Sequence, residues 1–253
     1  MRLSYTIESD GASPPIVLLH SLALDRSMWR RLLESLPTDR RVITMDMRGH
    51  GESPKGFQFT IEDMADDVAE TLLEIGHDRA IIVGLSMGGC VAQAIAIRHP
   101  SIVSGLGLVD TTAWYGPDAP ERWSERAAQA VEQGMASLAQ FQLNRWFGEQ
   151  FLDEFPDAGR QLLDVFASND LDSYVASCHA MGAFDARPGL GQINVPTVVV
   201  VGEHDPATTP AHANDLQRGI QGSTLHVIDE AKHLTPVERP QEVAEALQKL
   251  WSV

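Results

Sequence analysis

The chain has 253 residues, 43% apolar and 21% charged, enough for one large domain or a core domain with an insertion, and this excludes disordered and collagen-like classes. Its net charge of 19 − 35 = −16 argues against nucleic acid and anionic membrane as partners. Two cysteines, Cys90 and Cys178, make no disulfide framework, the first ten residues carry no apolar signal region, and no apolar run approaches membrane-spanning length, so a cytoplasmic protein is expected.

Pro15–His20 is a short apolar run ending in a polar loop, the pattern of a strand buried on both faces. Met28–Leu36 reads as an amphipathic helix closed by Pro37, and Arg41–Asp46 as a second buried strand running into the turn-rich Met47–Pro54. Thr60–Ile75 reads as a helix capped by Thr60. Ile61, Met64, Ala65, Val68, Leu72 and Ile75 form its apolar stripe, and Asp63, Asp66, Asp67 and Glu70 face the other way. Ala80–Gly84 is a third strand, followed at once by a helix that runs to His99-Pro100, and Val103–Val109 is a fourth. From Trp114 to Leu190 the patterns are helical and rich in aromatics. Strands return at Pro196–Gly202 and Thr224–Ile228, before a last helix over 240–250. The alternation implies a parallel sheet with helices on both faces, residues 1–112 and 191–253 forming the core and 113–190 inserted into it.

Three features carry chemistry. Gly84-Leu85-Ser86-Met87-Gly88 follows a strand and opens a helix, the context in which a G-x-S-x-G turn lifts a serine hydroxyl into the open above a helix N-terminus. A nucleophilic serine needs a base, and the base needs an acid to fix its tautomer. Asp205 and His233 each lie just beyond a strand C-terminal end, the sheet edge that Ser86 occupies. Asp110 also ends a strand and is the rival acid. His50, His99 and His226 are read as structural, and His204 adjoins the acid without a place in the pattern. The third feature, His20-Ser21-Leu22, follows the first buried strand, where the Leu22 amide can join that of Met87 to receive an oxyanion.

These stretches, with Asp46-Met47-Arg48-Gly49-His50-Gly51-Glu52-Ser53 as a D-x-R-G-x-G-x-S loop, make the chain resemble the α/β-hydrolase superfamily along almost its whole length. Within it the chain is most similar to 3-oxoadipate enol-lactone hydrolases, through His20-Ser21-Leu22, Arg145-Trp146-Phe147, His204–Thr208 and Ala231–Leu234 followed by Val237-Glu238. The resemblance implies an α/β-hydrolase fold, a mostly parallel sheet flanked by helices with 113–190 as an inserted helical cap. It also implies hydrolysis of a lactone or other small carboxylic ester by Ser86, His233 and Asp205, with no cofactor; no H-E-x-x-H or paired C-x-x-C is present, so no metal site is expected. Ser21, Arg145, Trp146 and His179 are expected at the substrate, and Arg187 is a second candidate cation for an anionic product. Lys232 and Thr235-Pro236 depart from the residues usual beside the histidine in that family, so the exact substrate stays open. A general carboxylesterase, a cofactor-free perhydrolase or haloperoxidase, and a C–C bond hydrolase share the same residues. A non-enzymatic ligand receptor on this fold is the alternative of a different class. The partner expected is a small-molecule substrate, and a homo-oligomer is compatible with the sequence.

Overall fold

The computed structural model describes residues 1–139 and 141–251, apart from the side chain of Ser13. Seven strands form one sheet: β1 (Tyr5–Ser9), β2 (Ala12–Leu19), β3 (Arg40–Met45), β4 (Ala80–Leu85), β5 (Val103–Val109), β6 (Thr197–Gly202) and β7 (Thr224–Ile228). Their order is β1-β3-β2-β4-β5-β6-β7, with β1 antiparallel to β3 and every other pairing parallel. β4 and β6 are buried at every position, which is why they appear in the sequence as unbroken apolar runs. β1 has no such run. Its residues are half-buried or exposed, and it escapes the pattern for that reason.

The helices outside the β5–β6 connection are α1 (Arg30–Leu33), α2 (Ile61–Glu74), α3 (Met87–Arg98), α10 (Pro210–Gly219), α11 (Thr235–Glu238) and α12 (Pro240–Leu247). The helix expected over 28–36 is instead a 3-10 turn, Arg26–Trp29, followed by the single turn of α1. Thr60 caps α2, and Asp63, on the polar face as expected, closes the capping box. Asp67, expected on the polar face, is buried and holds Arg48 through two hydrogen bonds of 2.6 and 2.8 Å.

Between β5 and β6 the described residues form six α-helices, α4 (Ala119–Gln133), α5 (Met135–Ala139), α6 (Leu143–Trp146), α7 (Glu149–Glu154), α8 (Pro156–Ser168) and α9 (Leu171–Ala183), and a 3-10 turn over Arg187–Gln192. Where the chain leaves β5 and where it returns, it is joined to itself by a bridge between Trp114 and Asp185 and by the Ala186 amide on the Ala113 carbonyl at 2.9 Å. Trp146, Phe147, Phe151, Phe166 and Tyr174 are buried there and belong to the same continuous apolar core as the sheet.

Strand order reverses between β2, which leads outward to β3, and β4, which leads the other way to β5. Such a switch point opens a crevice beyond the strand C-terminal ends. Leu19 of β2 lies beside Gly84 of β4, so the loop at Ser21 and the turn at Ser86 leave the sheet side by side.

Candidate functional site

Ser86 stands alone between β4 and α3 with φ 55° and ψ −113°, a left-handed conformation that costs a non-glycine residue about 1–3 kcal/mol. The surroundings enforce it. The Ser86 amide donates to the Val109 carbonyl at 3.0 Å, and its own carbonyl accepts from the Cys90 amide and the Thr111 hydroxyl. Glycine at 84 and 88 lets the strand, the helix and the neighbouring loop meet. A Cβ on Gly84 would lie 2.1 Å from the Gly88 carbonyl oxygen, and one on Gly88 would lie 2.1 Å from that of Leu19.

The turn aims the hydroxyl at His233. Ser86 Oγ is 3.0 Å from His233 Nε2, and His233 Nδ1 is 2.8 Å from Asp205 Oδ2. All three residues are buried. A carboxylate can only accept, so Nδ1 carries the ring proton and Nε2 is left to accept from the serine hydroxyl. Asp205 is itself held: Oδ1 accepts from the amides of Ala207 and Thr208, and Oδ2 from the Thr208 hydroxyl at 2.8 Å. Burial works to raise the pKa of this carboxyl. The His233 charge and these donors outweigh it, and Asp205 titrates below the ordinary carboxylate value.

Asp110 has another employment. It is fully buried at the end of β5, accepts from the Gly202 amide at 3.0 Å and takes both the amide and the hydroxyl of Thr235. Burial, reinforced by the nearby Asp205 charge, holds its pKa well above the usual value. It ties β5 to β6 and to the start of α11 while Asp205 takes the imidazole.

Ser21 and Leu22 follow β2 and line the same cavity as Ser86. The Gly88 amide donates to the His20 carbonyl at 3.1 Å, which fixes that loop against the start of α3. Met87 is the first residue of α3, where an amide has no partner within the helix. His20 is fully buried: Nδ1 pairs with the Ser21 carbonyl at 2.8 Å and Nε2 accepts from the Met47 amide at 2.9 Å. Burial lowers its pKa to about 4, so it is neutral and structural.

The cavity has a volume of about 410 Å³. Besides Ser86 and His233 it is lined by aromatic side chains, among them Tyr115, Trp123, Trp146 and Phe166, and by the polar Gln142, Thr208, Thr209 and His212. Three guanidinium groups, from Arg122, Arg126 and Arg145, also line it. Arg122 is paired with Asp118 at 3.2 Å. Arg126 donates to the Tyr174 hydroxyl at 2.7 Å and lies 5.4 Å over the Trp123 ring. Neither Arg126 nor Arg145 has a carboxylate partner among the described residues. Partial desolvation at the cavity wall, reinforced by the Arg126 charge, lowers the Arg145 pKa, although much of the residue reaches solvent. In a chain of net charge −16, two uncompensated cations facing one cavity make a local positive field.

A family model for the alpha/beta hydrolase fold matches residues 14–240. The chain belongs to the α/β-hydrolase fold family. Over 98% of its length it is 32% identical to 3-oxoadipate enol-lactonase 2 of Acinetobacter baylyi, and the match covers 92% of that protein. The enol-lactonase from Burkholderia xenovorans LB400 superposes with a TM-score of 0.93 at 36% identity, over 99% of this chain and 96% of that one. A thermophilic esterase from Thermogutta terrifontis, solved with malate bound, gives a TM-score of 0.89 at 32% identity, over 98% of this chain and 92% of that one.

In this α/β-hydrolase Ser21, Leu22, Ser86, Arg145, Trp146 and His233 all face the cavity, and Asp205 stands behind His233. His179 does not. It is exposed on α9 and outside the cavity lining, so the substrate contact expected of it is withdrawn. Arg187 is likewise elsewhere: it is paired with Asp185 through two hydrogen bonds and stacked 3.4 Å over Trp114. His204 is on the surface, 3.7 Å from both Glu203 and Glu230. The two departures beside the histidine have partners away from the cavity. Lys232 Nζ donates to the Asn144 carbonyl at 2.7 Å, and Thr235 serves Asp110. Sequence reasoning missed Tyr115, Arg122, Arg126 and Thr208. Arg126 shares a helix face with Trp123, Ala127 and Ala130, and that three-and-four spacing marks it as turned inward. Among the described residues no helix is long and apolar enough to cross a membrane.

Proposed function

We propose that this protein is a serine hydrolase that opens a small lactone, or cleaves a small ester, carrying a carboxylate of its own, as 3-oxoadipate enol-lactone does. The observation that carries this is the continuous hydrogen-bonded line from Asp205 through His233 to Ser86, at 2.8 and 3.0 Å, opening into an aromatic cavity with two unpaired arginines. Ser86 attacks the substrate carbonyl while His233 Nε2 takes the hydroxyl proton and Asp205 holds the resulting imidazolium. The oxyanion forms against the amides of Leu22 and Met87. The enol or alcohol departs with the proton held by His233. Water, deprotonated by the same nitrogen, then attacks the acyl-serine, and Ser86 leaves with its proton restored. No cofactor enters these steps.

Hydrolysis of such a substrate releases a second carboxylate, so the product is a dianion. Arg126 and Arg145 meet that requirement, and the similarity to enol-lactonases supports the lactone over a general ester. Residues 113–190 act as the cap that closes the cavity and supplies both arginines. The two cysteines, both buried and free, fit a cytoplasmic protein. The test is a substrate panel with purified enzyme: carboxylate-bearing enol-lactones, saturated lactones and short p-nitrophenyl esters. The proposal expects kcat/KM at least about a hundredfold higher for the carboxylate-bearing lactones than for neutral esters, a difference two or three charge-assisted hydrogen bonds supply. Equal rates across the panel would assign a general carboxylesterase instead.

A further inference from the structure

His233 sits between two residues that are both bound to the segment carrying Arg145 and Trp146. On one side Lys232 extends Nζ to the Asn144 carbonyl at 2.7 Å. On the other, the Leu234 amide donates to the Trp146 carbonyl at 3.2 Å. Beneath them lies Glu238, a carboxylate only 4% exposed at the end of α11. Its Oε2 accepts from the Lys232 amide at 2.9 Å and its Oε1 from the Gly148 amide at 2.8 Å. One carboxylate thus spans the histidine loop and the turn after α6, and both of its oxygens are occupied by backbone donors from the two sides.

We propose that Glu238 is a positioning residue that sets the distance between the cap turn gripping the substrate carboxylate and the imidazole that acts on the substrate carbonyl. This rests on the function proposed above. A substrate held by Arg145 is placed relative to α6, whereas proton transfer requires placement relative to His233. Glu238 makes those two frames one. A substrate that does not reach Arg145 is indifferent to the strap, because Asp205 still holds His233 against Ser86. Selection for a carboxylate would then appear in kcat as well as in KM, since a misplacement of about 1 Å at the reacting atoms can cost on the order of a hundredfold.

The experiment compares Glu238→Gln with wild type on a carboxylate-bearing lactone and on neutral p-nitrophenyl acetate. Glutamine keeps the shape but turns an amide donor toward one of the two backbone N–H groups. The expected result is a fall in kcat of about tenfold or more for the lactone and of about twofold or less for the acetate. In the Arg145→Ala background, Glu238→Gln should no longer lower kcat for the lactone. Equal losses on both substrates, or an undiminished loss in that background, would overturn the proposal and leave Glu238 a purely structural residue. Should Glu238→Gln fold poorly, Lys232→Met removes the Asn144 contact alone and should lower lactone kcat selectively by a smaller factor. An unchanged ratio of the two substrates would then overturn it. Loss of the strap's effect is distinguishable from failure of the underlying function. In the latter case Ser86→Ala would still turn over both substrates at the wild-type rate.

Discussion

Thr235, two residues beyond His233, gives its amide and its hydroxyl to Asp110 at 3.0 and 2.7 Å, while the carboxylate facing the imidazole at 2.8 Å belongs to Asp205. Two acids at the ends of adjacent strands therefore divide the work. Asp205 holds the ring, and Asp110 holds the loop that carries the ring. Asp205→Asn should leave the fold intact and lower kcat by about 10³–10⁴, because an amide allows the wrong tautomer. Asp110→Asn should cost stability, about 1–3 kcal/mol for a buried acceptor replaced by a donor. Turnover of its folded fraction should stay within about one order of magnitude of wild type. Paired kinetics and denaturant melts of the two variants check this, and the reverse pattern would exchange the two roles.

The unpaired guanidiniums give a prediction about recognition. Arg126→Ala and Arg145→Ala should each raise KM for a carboxylate-bearing lactone by about tenfold to a hundredfold, the worth of one charge-assisted hydrogen bond. Neutral p-nitrophenyl acetate should be hydrolysed with little change in KM. Steady-state kinetics on both substrates separate these outcomes, and parallel changes would mean that the arginines support the packing of the inserted helices rather than contact the ligand.

Close backbone approach under the serine turn gives a prediction about folding. A methyl group at position 88 would meet the Leu19 carbonyl oxygen at 2.1 Å and that of His20 at 2.7 Å, and neither strand nor loop has room to retreat. Gly88→Ala should destabilise by about 4 kcal/mol or more, in the range reserved for core disruption. Circular dichroism melts suffice to check it. A variant with a wild-type midpoint would show that α3 can move away from β2.

Two buried histidines predict how stability follows pH. Burial lowers His20 from 6.5 to about 4 and His50 to about 3, so the folded state keeps both neutral while the unfolded chain protonates them. The unfolded state binds more protons throughout that window, so their stabilisation is complete above pH about 6.5 and is lost as pH falls toward 4. The depressed Asp205 acts in the same direction at lower pH. Asp110, raised by burial, acts in the opposite direction, so the test is the difference between variants: from pH 7 to pH 4.5 the thermal midpoint of His20→Gln should lose less than that of wild type. Equal pH dependence in the two proteins would contradict the assignment of neutral His20.

Much of this was legible in the residues because the physics is local. Six of the seven strands announce themselves as apolar runs or as returns of the strand rhythm, and the serine turn, the acid and the histidine each follow one of those runs. β1 was not legible, because an edge strand with exposed side chains has no buried face to record in its sequence. Asp67 was misplaced because periodicity counts a carboxylate as polar and cannot see that Arg48, nineteen positions earlier, comes to meet it. The helices between β5 and β6 were hardest. His179 and Arg126 both lie on them, and only packing between α4 and α9 turns one outward and the other into the cavity. Thr208 carried a signal that went unread: an aspartate followed three residues later by threonine is the pattern of a side chain satisfied by its own loop.

On the mechanism proposed, Ser86 forms a covalent acyl intermediate with His233 as its base. The most direct measurement is intact-protein mass after exposure to a fluorophosphonate, with wild type, Ser86→Ala and His233→Ala side by side and turnover recorded on the same samples. Wild type should carry a single stoichiometric adduct that maps to Ser86, and Ser86→Ala none. Labelling of His233→Ala should be slower by orders of magnitude, with turnover lost in step. An adduct of equal yield on Ser86→Ala, or full turnover by that variant, would contradict it.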